Sequence, residues 1–294
     1  MMSKSLYKST VLGAFLFSWL VIASHVDGAK KPVTIAVFPC VDVVMAFEKF
    51  HPLVTYLQQE TGLDIRLVVP ADFAEFEKAI KSGDIDFAFQ DAQTYARFAG
   101  LYDKGALLRG LTKEGRMVQS GVVIVKKNSG INNVTDLRGK SVMFGPKFSS
   151  VRWVAAKWLF EENGLYIDKD LKTYSNGRCC QDIAFNVQFD AVDAGVVCDH
   201  FLEQRTEKQK ELGVDSEKLV VIGRTKLLPT KVFGPRRDVD SDIVNKIKQA
   251  LLKLDRKIPA HEKILCHAEL GGFKQSKDED YDDVRTQLGI KVEQ

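Results

Sequence analysis

The sequence predicts an α/β protein of two lobes, each a mixed sheet flanked by helices, with a ligand cleft between them and two hinge crossings. Three observations carry this expectation. Short apolar runs alternate with helix-period segments from Val33 to Ala99. The alternation restarts after Asn128-Ser129-Gly130. The helical segments that follow Val232-Phe233 have apolar faces but no sheet of their own to cover, so they are expected to return to the first lobe. The lobes are therefore drawn as residues 30–122 with 228–294, and residues 123–227.

The N-terminus is set apart from this fold. Lys4 and Lys8 precede an apolar run from Val11 to Ala23, and small residues follow, with a cut expected after Gly28 or Ala29. Residues 1–28 read as a cleaved signal peptide, which places the mature chain in the periplasm. The run is short for a membrane span, and no cysteine directly after it offers a lipid anchor.

In order, Val33 to Phe38 is a strand closed by Pro39-Cys40, and Met45 to Glu60 a helix whose face of Phe47, Phe50, Val54 and Leu57 survives Pro52. Ile65 to Val69 is a strand, Asp72 caps a helix carrying Phe73, Phe76 and Ile80, and Ile85 to Phe89 is the third strand. A helix from Asp91 to Ala99 completes the first set. Leu107 to Thr112 and Val118 to Val125 are longer strands leading away from it. In the second set, a helical turn over Val134–Gly139 precedes the strand Ser141–Phe144 and a helix ending near Asn163-Gly164. Strand Leu171–Tyr174, helix Cys179–Gln188, strand Ala191–Val197, a polar helix Cys198–Glu211 and strand Leu219–Ile222 follow. Helices over Ile243–Leu254, His261–Ala268 and Asp278–Leu288 end the chain.

Composition narrows the function. With 294 residues, 45% hydrophobic and 28% charged, the chain is an ordinary globular protein, and a net charge of +3 without a Lys/Arg block argues against nucleic acid. The histidines are scattered, and there is no nucleophile elbow or phosphate loop. Asp84 and Asp86 resemble paired carboxylates, but solvation at a strand edge explains them. No catalytic set is visible, and neither an enzyme, a cofactor nor a metal is expected.

The chemistry concentrates at Phe144-Gly-Pro-Lys-Phe-Ser-Ser. A strand breaks at Gly145-Pro146, and Ser149 and Ser150 stand directly before a helix. A helix start has unpaired N–H groups and a partial positive charge, so this is an anion-binding arrangement, although a serine there also serves as a plain N-cap. Pro39-Cys40, Asp91–Tyr95 and Cys179–Asp182 fall at equivalent strand ends, where ligands of such sheets sit.

At these residues the chain resembles the phosphonate-binding family of periplasmic solute-binding proteins, receptors of phosphate, phosphite and phosphonate ABC importers. The carriers are Phe38-Pro39, the segments His51–Leu57 and Gly83–Ala88, Tyr95, Val134–Lys140, Phe144-Gly145 with Ser149-Ser150, Val192-Asp193-Ala194 with Asp199, Phe273, and Asp280–Arg285. The resemblance implies a type II periplasmic binding fold without catalytic activity. It implies Ser149 and Ser150 as two of three hydroxyl ligands, Tyr95 as a cleft tyrosine, and Asp199 as an acid that faces a ligand amine. Val151 stands at the third hydroxyl position, Cys40 where relatives carry an aromatic residue, and Gln181 nearest a ligating histidine. The expected ligand is a small phosphorus oxyanion, with Arg152 or Arg178 as a supporting cation. The expected partners are the importer's membrane subunits, or a sensor-kinase periplasmic domain, for a monomeric receptor.

The five cysteines leave a second reading open. Cys179 and Cys180 fall at a helix start, where thiols become reactive, and Cys40 lies in the facing loop. Together they suit a thiophilic oxyanion such as arsenite in a sensory relative. Alternatively, one of the adjacent pair joins Cys198 in a structural disulfide.

Overall fold

A computed structural model of the chain describes residues 31–39, 42–203 and 213–291. The expected signal peptide, Cys40 and the continuation of the polar helix to Glu211 lie outside the described residues. The first sheet has six strands: β1 (Val33–Val37), β2 (Ile65–Val68), β3 (Phe87–Gln90), β4 (Leu108–Gly110), β12 (Val232–Pro235) and β13 (Phe273–Gln275), in the order β13-β4-β12-β3-β1-β2. β1 runs parallel to β2 and β3, whereas β12 is antiparallel to β3 and β4, and β13 is antiparallel to β4.

Alternation along β1 decides which helices cover which face. Val33, Ile35 and Val37 join a core with Phe50, Leu53, Val54 and Leu57 of α1 (Val43–Thr61). The same core takes Val244, Ile247 and Leu251 of α8 (Ser241–Leu252) and Leu265 of α9 (Pro259–His267). Ala36 and Phe38 face the opposite core, built with Phe76 and Ile80 of α2 (Phe73–Ser82), Tyr95 of α3 (Ala92–Phe98) and Val284 of α10 (Asp282–Gln287). Local signals set the ends of α1: the Asp42 side chain accepts from Met45 N at 3.0 Å, and Gly62 closes the helix at φ 67°. Pro52 removes one internal bond from α1 without ending it, because the flanking apolar side chains are packed against the sheet.

The second sheet has five strands: β6 (Gly121–Lys126), β7 (Ser141–Phe144), β8 (Thr173–Asn176), β9 (Ala194–Cys198) and β10 (Leu219–Arg224), in the order β10-β6-β9-β7-β8. One face packs on Ala156 and Phe160 of α4 (Ala155–Glu162) and on Ile167 of the short α5 (Ile167–Asp170); the other packs on Ile183 and Val187 of α6 (Cys180–Gln188). A last described helix, α7, runs from Asp199 to Glu203. No helix among the described residues is long and apolar enough to cross a membrane.

The single strand expected over Val118–Val125 is two. β5 (Val118–Gln119) pairs with β11 (Leu228–Pro229) in a ribbon of its own, and the chain resumes as β6 after Ser120. Gln119-Ser120-Gly121 marks the break in the sequence, but a strand can also carry such residues, so the pattern alone does not separate the two segments. Gly121 stands at the break, and a Cβ there would lie 2.3 Å from the Val151 carbonyl oxygen. Gly121→Ala is expected to cost about 1–3 kcal/mol by this overpacking, read as a lower urea midpoint with an unchanged slope.

Candidate functional site

The ends of β1, β3, β7, β8 and β9 carry the loops that the sequence singled out. Beyond β7, Gly145 permits close passage of the chain, since a Cβ there would meet Arg152 Cβ at 2.4 Å. Ser149 is the N-cap, its Oγ accepting from Arg152 N at 3.3 Å. The following turn, Ser150–Val154, is a π turn: the Val154 and Trp153 N–H groups both donate to Ser149 O at 3.2 Å, and Ala155 N donates to Ser150 O.

Ser150 is fully buried and meets the first sheet's side of the molecule. Its N–H donates to Asp91 Oδ1 at 2.9 Å, its hydroxyl donates to the same oxygen, and its Oγ accepts from Gln93 N at 2.9 Å. Asp91, the N-cap of α3, also accepts from Gln93 N at 3.1 Å, so one carboxylate oxygen collects three donors. Burial pushes the Asp91 carboxyl above its ordinary range, against the lowering effect of the Ser150 and Gln93 hydrogen bonds and of Lys231. On the same first turn, Gln93 Oε1 and Thr94 Oγ1 are buried without a hydrogen-bond partner among the described residues. Beside this contact Phe148 lies edge-on to Phe38 at 4.7 Å and stacks on Phe73 at 4.4 Å. The sequence singles out the Asp91–Tyr95 stretch as a strand-end loop but names only Tyr95 in it as a site residue; the signal for Asp91 is an N-cap acid directly after an apolar strand.

Tyr95 is buried, with its hydroxyl donating to Asp278 Oδ1 at 2.6 Å and its ring 4.7 Å from that of Tyr281. Lys104 and Arg285 also hold Asp278, so the structure ties Tyr95 to the C-terminal segment. Cys180, at the first position of α6, accepts from Cys198 N at 3.2 Å, while Cys179 is the N-cap, its Sγ accepting from Asp182 N at 3.4 Å. Gln181 is half-buried on that turn, and Arg178 is exposed with its N–H donating to Asp182 Oδ2 at 3.3 Å.

Asp199 is buried just after β9. One of its oxygens accepts from Ser120 N at 3.1 Å and Ser120 Oγ at 3.0 Å, with Arg224 at 3.5 Å and Arg116 at 3.6 Å. The other accepts from His200 N at 2.8 Å. This acid therefore has charge and hydrogen-bond partners from the segments around β5 and β10. Burial pushes its carboxyl up, but the hydrogen bonds from His200 and Ser120 win and hold it at about 2.

A carboxyl held at about 2 stabilises the fold above its unfolded value near 4, and that stability is lost as pH falls through about 2. Asp199→Asn is expected to cost about 2 kcal/mol at pH 7, with the gap to the parent protein shrinking between pH 4 and 2. Urea denaturation across that range measures it; a gap independent of pH rules out the ionised carboxylate as its source.

The sequence pattern of one protein family, described as "ABC transporter, phosphonate, periplasmic substrate-binding protein", matches residues 35–281. Among solved structures, a binding-protein component of an ABC phosphonate transporter from Pseudomonas aeruginosa superposes with a TM-score of 0.75 at 16% identity, over 88% of this chain and 86% of its own. PhnD1 of Prochlorococcus marinus, in complex with methylphosphonate, gives 0.76 at 14% identity, over 88% and 98%. A Xanthomonas citri protein bound to chloride ion gives 0.70 at 15%, over 87% and 97%. At these identities the three likenesses are likenesses of fold.

Proposed function

Since the chain belongs to the family of periplasmic substrate-binding proteins of phosphonate ABC transporters, we propose that its two lobes close on a phosphorus oxyanion, one oxygen of which takes the place of Asp91 on Ser150. The family is a transport component and not an enzyme, and its fold is that of the two-lobed type II periplasmic binding proteins. The observation that carries the reading is the Asp91 carboxylate itself. Its Oδ1 sits on the Ser150 N–H and hydroxyl at the start of a helical segment, so these donors already converge on one anionic oxygen. A phosphonate oxygen has the same acceptor chemistry.

Lobe opening separates Asp91 from Ser150, and ligand then enters between them. The boundary between the lobes is placed at the crossings near residues 122 and 228, beside the β5–β11 ribbon. Ser149 supports the turn as its cap. Gln93 and Thr94 offer buried polar atoms on the facing turn. The methylphosphonate in the Prochlorococcus protein of similar fold makes an alkylphosphonate the first ligand to try. With Asp199 engaged by Ser120, Arg116 and Arg224, a ligand amine has less to gain at that acid, which favours a simple phosphonate over an aminophosphonate. Family membership favours the oxyanion over a thiophilic ligand held by Cys40, Cys179 and Cys180. The partners that follow are the importer's membrane subunits.

Loss of a hydrogen bond to a charged ligand costs about 1.5–3 kcal/mol. Ser149→Ala with Ser150→Ala is therefore expected to weaken methylphosphonate binding at least tenfold in calorimetry while the circular dichroism spectrum is kept. Asp91→Ala removes the resident competitor and a like charge, and is expected to tighten binding. Unchanged affinity in both variants places the ligand elsewhere.

A further inference from the structure

Where α6 begins and β9 ends, Cys180 and Cys198 come together in a contact that the oxyanion site does not use. The Cys198 N–H donates to Cys180 Sγ at 3.2 Å, which sets the two cysteines side by side. Cys198 is buried and Cys180 half-buried, so Cys180 is the more exposed residue of the pair. The other described cysteines are placed differently. Cys179 Sγ accepts from Asp182 N at 3.4 Å, and Cys266 is exposed on α9, against the first sheet.

The surroundings make the two sulfurs unequal. The thiol of Cys198 donates to Cys180, and this outweighs burial; the Arg152 and His200 charges add to it, and together they bring the Cys180 thiol down to about 5. The same hydrogen bond, with burial, pushes the Cys198 thiol well up. Cys180 also stands at the start of a nine-residue helix, where a thiolate is favoured. A thiolate on the more exposed cysteine beside a protonated thiol on the buried one is the pairing used in thiol–disulfide exchange.

We propose that Cys180 and Cys198 form a dithiol that is oxidised to a disulfide by exchange with a disulfide donor. The Cys180 thiolate attacks one sulfur of the donor; the donor's S–S bond breaks, one donor thiolate leaves, and a mixed disulfide remains on Cys180. Cys198 then gives up its proton and attacks the Cys180 sulfur, which releases the second donor thiolate. The protein loses two electrons to the donor, and two donor thiols result once protons are taken up. The bond joins the first turn of α6 to the end of β9, and so ties together the loops that carry Gln181 and Asp199. It is independent of which ligand the cleft takes.

The test uses the full chain, with oxidised glutathione as donor, followed by denaturing alkylation and peptide mass mapping. The expected product is a Cys180–Cys198 peptide pair lighter by two hydrogen atoms than the separate thiol peptides. In Cys198→Ser, glutathione should remain on Cys180, since the resolving thiol is gone; in Cys180→Ser, Cys198 should remain open to the alkylating reagent. The parent protein decides the matter even if a variant does not fold. Full alkylation of Cys198 after exposure to glutathione disulfide, or a link from Cys180 to Cys179 or Cys40, overturns the proposal.

Discussion

A carboxylate enclosed by protein needs hydrogen bonds to offset the hydration it has lost, and Asp91 obtains them both from its own helix and from the turn after β7. Gln93 N–H belongs to its own helix, whereas the N–H and hydroxyl of Ser150 belong to that turn. The interaction therefore does two things at once. It starts α3, and it fixes where the π turn before α4 lies relative to the first sheet. Phe148 against Phe38 and Phe73 adds apolar contact beside it. Val151 and Ala155 share a core with Ala92 and Tyr95. The polar contact sets the alignment, and the apolar contacts around it keep water away.

Asp199 solves the same problem by other means. Its donors come from Ser120 and His200, and two arginines stand within 4 Å of it. Against burial, the hydrogen bonds from His200 and Ser120 hold this carboxyl down, whereas burial pushes the Asp91 carboxyl up despite its own hydrogen bonds. Two buried acids at strand ends thus carry opposite shifts, and the difference lies in whether burial or the hydrogen bonds prevail. The acid after β9 holds that strand end against the start of β6 through Ser120, and the acid before α3 holds the turn at Ser150.

Local pattern made much of the fold legible. Strands such as Val33–Val37 and Ser141–Phe144 and helices such as α2 carry their own period and caps, and the serine pair before α4 is visible as a helix start. What local pattern does not contain is the identity of a partner far along the chain. Asp91 and Ser150 are 59 residues apart, Tyr95 and Asp278 are 183 apart, and Ser120 and Asp199 are 79 apart. Each pair decides what a candidate side chain is bonded to, and each arises only when strand order is known. The antiparallel insertion of β4, β12 and β13 beside the parallel β3-β1-β2 set is hidden in the same way.

The wide turn at Ser150–Val154 has a consequence for the helix that it begins. Successive residues of an α-helix are offset by about 100° around the axis, so a turn that holds an additional residue changes the phase of everything after it. Before and just after the change, Val151 and Ala155 pack with the first sheet's side; beyond it, Ala156 and Phe160 pack under the second sheet. A single continuous helical segment thereby serves two cores. The wide turn is what allows this: wound as a regular α-helix that kept Val151 on the first core, the same residues would turn Phe160 by about 100° away from the second.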